Sequence, residues 1–105
     1  MIHLDTSFLI HALVPSSPAD DRLRRWLREG EELVISSVAW TEFLCGPVGD
    51  PEVQFALGIF RGVMEYTVVD SETSAHLFNL TGRRRGSLPD CMIAAVALRA
   101  RAPLA

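Results

Sequence analysis

Short apolar runs alternate along the chain with longer stretches in which apolar residues recur at helical spacing. The runs predict buried strands at residues 1–5, 33–36 and 65–69, the last of them because Tyr-Thr-Val-Val is rich in β-forming residues. The final Ala-Pro-Leu-Ala predicts the beginning of a fourth strand. The stretches between the runs predict helices over residues 6–13, 20–30, 38–44, 51–63, 71–85 and 87–100.

This order of elements determines the expected fold class. Strands that are separated by helices pair in parallel, because each crossover returns the chain to the same edge of the sheet. We therefore predict a three-layer α/β/α fold with a central parallel sheet of about four strands. A chain of 105 residues is long enough for one domain with a single core, and we expect residues 1–105 to form one domain.

Composition narrows the class of protein. Hydrophobic residues make up 49% of the chain and charged residues 22%, which is typical of a globular protein. No apolar run approaches the roughly 20 residues of a membrane span, and the N-terminus lacks the basic region of a secretory signal. We therefore expect a cytoplasmic protein without membrane contact, in which Cys45 and Cys91 are small, buried apolar side chains.

The charge of the chain constrains how it could bind a polyanion. The formal net charge is −3, and all ten basic residues are arginine. A protein that holds nucleic acid by its net charge alone would be basic. If the substrate is a polyanion, bound divalent cations could supply the missing positive charge.

Three carboxylates are predicted to meet at one edge of the sheet. Asp5 ends the first strand, Glu42 lies in the helix after the second strand, and Asp90 lies in the first turn of the last helix. In an open parallel sheet, ligands bind at the carboxyl ends of the strands. Clustered carboxylates repel one another unless a cation intervenes, so the pattern predicts a Mg²⁺ or Mn²⁺ site.

Each of these acids also has a purely structural explanation. Asp5 is a suitable N-cap for the helix that begins at Thr6, and Asp90 could form a capping box with Ser87. Glu42, taken alone, could be a solvated surface residue. Their residue types therefore leave both explanations open.

The segments around the acids carry a family resemblance. Leu-Asp-Thr-Ser-Phe-Leu-Ile at 4–10, Ser-Val-Ala-Trp-Thr-Glu-Phe-Leu at 37–44 and Leu-Pro-Asp-Cys-Met-Ile-Ala-Ala-Val-Ala-Leu at 88–98 resemble, in order and spacing, the motifs of the PIN-domain family. The most similar members are VapC-like toxins of toxin–antitoxin pairs. The resemblance covers essentially the whole chain and implies a Mg²⁺-dependent ribonuclease that hydrolyses RNA phosphodiester bonds.

The resemblance also implies roles for individual residues. Asp5, Glu42 and Asp90 match three of the family's four metal-site acids, and Thr6 or Ser7 matches the hydroxyl residue beside the first. The fourth acid usually follows the next strand, in a segment that would come after Ala105. We therefore expect a PIN domain that is incomplete at its C-terminus.

The implied partners are an RNA substrate, a cognate antitoxin and a second copy of the chain. An antitoxin could cover the cleft by placing an arginine among the carboxylates, and the apolar residues of 55–64 could face the second copy. Arg83, Arg84 and Arg85 could contact phosphates that flank the scissile one, or could simply stabilise a helix C-terminus. The three histidines are interpreted as packing or surface residues, and the tryptophans and phenylalanines as core or partner-interface residues.

Three alternatives compete with the nuclease hypothesis. A Mg²⁺-dependent phosphatase would need a second Asp two residues after Asp5, and position 7 is Ser. A phosphoaspartate receiver domain would have its acidic pair next to the first strand. The third alternative is a non-catalytic module that keeps the PIN fold and binds RNA or an antitoxin, and the missing fourth acid favours it.

Overall fold

The computed structural model describes residues 1–81 and 87–105. In this part of the chain, strands and helices alternate, as the apolar pattern predicts. The elements are β1 (Ile2–Leu4), α1 (Thr6–Ala12), α2 (Pro18–Arg28), β2 (Leu33–Ser36), α3 (Ser37–Cys45), α4 (Asp50–Ile59), β3 (Gly62–Met64), α5 (Val68–Leu80) and α6 (Leu88–Arg99).

The three strands form one parallel sheet in the order β1-β2-β3. Ile2 pairs with Leu33, and Ile35 pairs with Val63. The predicted α/β fold class with a parallel sheet is therefore confirmed.

The predicted fourth strand is present as a single parallel bridge between His3 and Leu104. His3 N–H donates to the Pro103 carbonyl at 2.9 Å, and Ala105 N–H donates to the His3 carbonyl at 2.8 Å. Both backbone groups of His3 thus bond to this segment, which places it on the side of β1 opposite β2. β1, which leads to Asp5, therefore has a backbone partner on each side.

Two apolar clusters form the core around the sheet. Alternate residues of a strand point to opposite faces, so Ile2 and Leu4 share one face and His3 lies on the other. The first cluster joins β1 and β2 to α1 and α2, and the second joins β2 to α1, α3, α4 and α6. Their buried members are Ile2, Leu4, Ala12, Leu23 and Leu33 in the first, and Leu9, Ile35, Ala39, Phe43, Ala56 and Ile93 in the second.

His3 is an ionisable residue in the buried part of the sheet. It is 1% exposed, and neither ring nitrogen has a hydrogen-bond partner within the described residues. Burial lowers the pKa of His3, and the positive charges of Arg99 and the N-terminus lower it further. His3 is therefore a neutral packing residue, whereas His11 and His76 are exposed.

The prediction of the third strand was wrong in its position. The strand is Gly62–Met64, which overlaps the end of the span predicted as a helix, and residues 68 and 69 begin α5 instead of ending a strand. A capping box decides this boundary: Asp70 N–H donates to the Thr67 hydroxyl, and the Asp70 carboxylate accepts from Thr67 N–H at 2.9 Å. The β-branched pair Val68 and Val69 is 80% and 62% exposed, so no sheet packing opposes the helix.

An ion pair joins α5 to α6. Arg99 Nε donates to Asp70 Oδ1 at 3.0 Å, and its Nη2 donates to the Glu65 carbonyl at 2.8 Å. Burial alone would raise the pKa of Asp70, but hydrogen bonds from Arg99 and Thr67 and the charge of Arg99 outweigh it and leave the pKa below its ordinary value. The same bond raises the pKa of Arg99.

The two cysteines differ in their surroundings. Cys91 is buried in α6, as predicted, but Cys45 is exposed at the end of α3, so the prediction was wrong for Cys45. Cys45 is the last residue of the helix, Gly46 is its C-cap, and the core side of α3 is already occupied by Ala39 and Phe43. No helix within residues 1–81 or 87–105 is long and apolar enough to cross a membrane.

Candidate active site

Asp5, Glu42 and Asp90 line one pocket of about 270 Å³. Asp5 directly follows β1, Glu42 lies in the helix that follows β2, and Asp90 lies in the first turn of α6. The carboxyl ends of β1 and β2 thus deliver the first two acids to the same edge of the sheet, and α6 adds the third. Thr6, Ser7, Ile10 and Ile93 complete the lining.

Asp5 is the N-cap of α1. Its backbone is extended, with φ −86° and ψ 168°, and its Oδ1 accepts a hydrogen bond from Phe8 N–H at 2.7 Å. Asp5 N–H donates in turn to the Ala105 carbonyl at 2.8 Å. The capping role is therefore real, and it fixes the side chain at the mouth of the pocket while using only one carboxylate oxygen.

Glu42 is half-buried and tied to α1. Its Oε1 accepts a hydrogen bond from the Thr6 hydroxyl at 2.9 Å, and the same hydroxyl lies 3.3 Å from the Ala39 carbonyl. A hydroxyl has one proton, so it donates to one of these acceptors at a time. The solvated-surface alternative for Glu42 does not describe this arrangement, because the carboxylate is held by a residue 36 positions away.

Asp90 forms a capping box with Ser87. The Asp90 Oδ2 accepts from Ser87 N–H at 3.1 Å, and Asp90 N–H donates to the Ser87 hydroxyl at 3.4 Å. Asp90 is exposed on the pocket side of α6. As at Asp5, capping occupies one oxygen and leaves the other available.

The donor chemistry of the pocket fits Mg²⁺ or Mn²⁺, because both ions prefer carboxylate oxygens. Within the described residues, Asp5 Oδ2, Glu42 Oε2 and Asp90 Oδ1 have no hydrogen-bond partner. In that part of the chain, however, no group of three or more His, Cys, Asp or Glu side chains is arranged to hold a metal ion. The three carboxylates share a pocket without converging on one point.

The other site residues predicted from sequence divide into two groups. Thr6 contacts Glu42, and Ser7 is exposed and lines the pocket. The predicted RNA contacts at Arg83, Arg84 and Arg85 lie outside the described residues.

Sequence reasoning missed two apolar pocket residues, Ile10 and Ile93. Ile10 is 41% exposed and lies one helical turn beyond Thr6, and Ile93 lies one turn beyond Asp90. The helical offsets of three and four residues would have been enough to place both on the pocket side.

Solved structures with the same fold come from toxin–antitoxin systems. A toxin–antitoxin complex from Klebsiella pneumoniae matches with a TM-score of 0.79 at 24% identity, over 99% of this chain and 83% of the other. VapBC2 of Rickettsia felis, bound to a promoter DNA fragment, matches with a TM-score of 0.76 at 18% identity, over 99% and 85%. VapC20 of Mycobacterium tuberculosis, described as a sarcin–ricin loop cleaving toxin, matches with a TM-score of 0.67 at 20% identity, over 97% and 85%.

Comparison of the sequence with known families identifies the family of the chain. No individually curated protein matches the chain. The model of the PIN domain family, however, matches residues 2–105, which include Asp5, Glu42 and Asp90. The chain therefore belongs to the PIN domain family.

Proposed function

We propose that this protein is a metal-dependent endoribonuclease of the toxin type that hydrolyses RNA phosphodiester bonds. The observation that carries the proposal is the meeting of Asp5, Glu42 and Asp90 in one pocket at the carboxyl edge of the sheet. Membership of the PIN domain family and the fold shared with an RNA-cleaving toxin support it.

Asp5 and Asp90 are the proposed direct ligands of Mg²⁺ or Mn²⁺, each through the oxygen that its cap leaves unused. When bound, the ion supplies a Lewis acid and a bound water of lowered pKa. Glu42 would help to hold the ion through water, or would orient the attacking water as a general base. Thr6 fixes the direction of the Glu42 carboxylate through its 2.9 Å hydrogen bond.

The proposed partners are an antitoxin and a second copy of the chain, in the cytoplasm. The antitoxin is supported by the fold shared with toxins solved in toxin–antitoxin complexes. A self-association surface is supported by apolar side chains that the fold leaves in solvent, since Phe55 and Leu57 are each 46% exposed and Val63 is 39% exposed. Phosphate contacts at Arg83, Arg84 and Arg85 remain a prediction.

A second candidate function is a PIN-fold module that binds RNA or an antitoxin without cutting. The absence of a converged metal cluster within the described residues favours it. Such a module would bind its partner equally well with and without Mg²⁺.

The discriminating experiment is a Mg²⁺ or Mn²⁺ titration of the purified chain against labelled structured RNAs. Cleavage that appears with the ion, disappears with EDTA and returns when the ion is restored is expected for the nuclease. RNA or partner binding that is indifferent to the ion, without cleavage at any ion concentration, would instead identify the binding module.

A first prediction concerns Thr6. Thr6→Val keeps the shape of the side chain but removes the hydroxyl that holds Glu42, and we expect kcat to fall about 10- to 100-fold, as is usual for a group that orients a catalytic carboxylate. Because the hydroxyl is engaged by Glu42, KM should change little. The measurement is steady-state RNA cleavage with the thermal midpoint followed in parallel.

Thr41→Val is the matched control, because Thr41 lies on α3 and its hydroxyl donates only to the Ser37 carbonyl of its own helix. Thr41→Val should leave cleavage unchanged, and Thr6→Ser should restore most of it. Equal effects of the two valine variants would contradict the positioning role of Thr6.

A further inference from the structure

A second groove also borders α1, the helix that contributes Thr6, Ser7 and Ile10 to the acidic pocket. It has a volume of about 460 Å³ and lies between α1 and α2. The aromatic and basic side chains that line it are Phe8, His11 and Arg22. Ligand pockets of small molecules begin at about 300 Å³, so the groove is large enough for one nucleotide unit.

Phe8 and Arg22, which line the groove, form a cluster with the ring of Trp26 behind them. Phe8 and Trp26 stack with ring centroids 5.4 Å apart and an interplanar angle of 30°. The Cζ of Arg22 lies 5.2 Å from the Phe8 centroid and 4.9 Å from the Trp26 centroid. We call these three residues the aromatic–arginine platform.

Arg22 is not committed to a carboxylate. The salt bridges of the described residues use other arginines, namely Arg24, Arg25, Arg61 and Arg99. Arg22 is exposed, and the ring contacts leave its guanidinium without a carboxylate partner among the described residues. Its N–H groups and its outer face are therefore available to a ligand.

The platform and the acidic pocket are both bordered by α1. Ser7 lines the acidic pocket and His11 lines the groove, and residues four apart on a helix are separated by about 6 Å. Phe8 joins the two sites directly, since its N–H binds the Asp5 carboxylate at 2.7 Å and its ring belongs to the platform. The distance between successive nucleotides of an RNA strand is of the same order as this separation of about 6 Å.

We propose that the aromatic–arginine platform binds a nucleotide of single-stranded RNA next to the phosphodiester held at the acidic pocket, an inference that rests on the proposed function. The nucleobase stacks on the Arg22 guanidinium and the Phe8 edge, and Arg22 and His11 donate to the adjoining phosphate. Proteins bind unpaired bases by stacking on aromatic rings and on arginine planes.

Charge favours RNA over a protein segment as the occupant. The chain carries a net charge of −3, and the acidic pocket itself repels a polyanion, so substrate binding depends on local cations. A guanidinium that has no carboxylate partner and lies beside the acidic pocket provides such a cation.

The test is RNA affinity of Arg22→Gln against Arg28→Gln. Both variants remove one exposed arginine from α2, but Arg28 contributes to neither groove. With a fluorescein-labelled single-stranded RNA in EDTA, which prevents cleavage, we expect Arg22→Gln to raise Kd roughly 5- to 30-fold, the scale of one stacked base. Arg28→Gln should have a much smaller effect.

Two further variants separate stacking from charge. Arg22→Lys keeps the charge but loses the flat guanidinium, and we expect it to recover only part of the affinity. Phe8→Leu keeps an apolar side chain but removes the ring, and we expect it to weaken binding in the same direction. Thermal midpoints of all variants identify any that weaken binding by unfolding.

Equal Kd values for Arg22→Gln and Arg28→Gln would contradict nucleotide binding by the platform, even if the parent chain cuts RNA with Mg²⁺. Loss of a co-expressed protein partner on Arg22→Gln, with RNA affinity unchanged, would overturn it in favour of a protein-docking groove. If Arg22→Gln alone weakens RNA binding while the parent never cuts, the platform is supported and the nuclease function fails.

Discussion

Asp5→Asn and Asp90→Asn should each lower metal-dependent RNA cleavage at least about 100-fold, the scale seen when one electrostatic group is removed from a catalytic centre. Each substitution removes the negative charge that a divalent cation needs, while the amide oxygen can still cap its helix. We therefore expect the activity to fall without a comparable loss of stability. Cleavage of labelled RNA at saturating Mg²⁺, together with thermal unfolding, measures both quantities.

Asp50→Asn is the matched control for these two variants. Asp50 is exposed in the first turn of α4, where it has the same favourable place near a helix N-terminus but lies outside the acidic pocket. The Asp50→Asn variant should cut RNA at the same rate as the parent chain. Full activity in Asp5→Asn or Asp90→Asn would mean that the acid concerned serves only its helix cap.

Helix capping and metal binding are compatible at this site for a geometric reason. A carboxylate has two oxygens, and the cap at Asp5 uses Oδ1 while the capping box at Asp90 uses Oδ2. The cap limits the rotation of the side chain, so the remaining oxygen has few directions in which to point. The structural explanation of each acid therefore does not weaken the functional one; it describes how the acid is oriented.

The fold was predictable wherever burial and periodicity agreed. β2 is buried along its full length, and its bounds Leu33–Ser36 were predicted correctly. β3 was not, because its residues are only partly buried and the apolar run before it continues the helical spacing of α4. The capping box of Thr67 and Asp70 was the local signal that could have corrected both the strand and the start of α5.

The acidic pocket and the platform differ in how far the sequence reveals them. Asp5, Glu42 and Asp90 stand in recognisable motifs, and the first two follow strands whose carboxyl ends share one edge of the sheet. The platform depends on the packing of α1 against α2, which brings Phe8 to Trp26 across 18 positions of chain. Residue spacing carries no signal for such a contact, because the crossing of two helices is set by tertiary packing.

The largest stability effect is expected from Asp70→Asn, which removes the negative charge of the Asp70–Arg99 ion pair. The Asp70 side chain is 1% exposed, and this is the only ion pair of the described residues with so deeply buried a carboxylate. A fully buried pair costs roughly 3–5 kcal/mol when one partner is removed, but Arg99 is 36% exposed and remains partly solvated. We therefore expect a loss of about 2 kcal/mol in the free energy of unfolding at neutral pH, or about 10 °C in Tm. Urea and thermal unfolding would measure it.

The pH dependence of this loss identifies its cause. Because the pKa of Asp70 is lowered in the folded protein, its contribution is fully present above the ordinary value of 3.8 and disappears as the pH falls through the folded value. The difference between parent and Asp70→Asn should therefore shrink below pH 3.8. Glu29→Gln, which removes the acid of the exposed Arg25–Glu29 pair, should have almost no effect at any pH, since both side chains are more than half exposed. A loss in Asp70→Asn that persists unchanged in acid would show that the charge of the Asp70 carboxylate is not its cause.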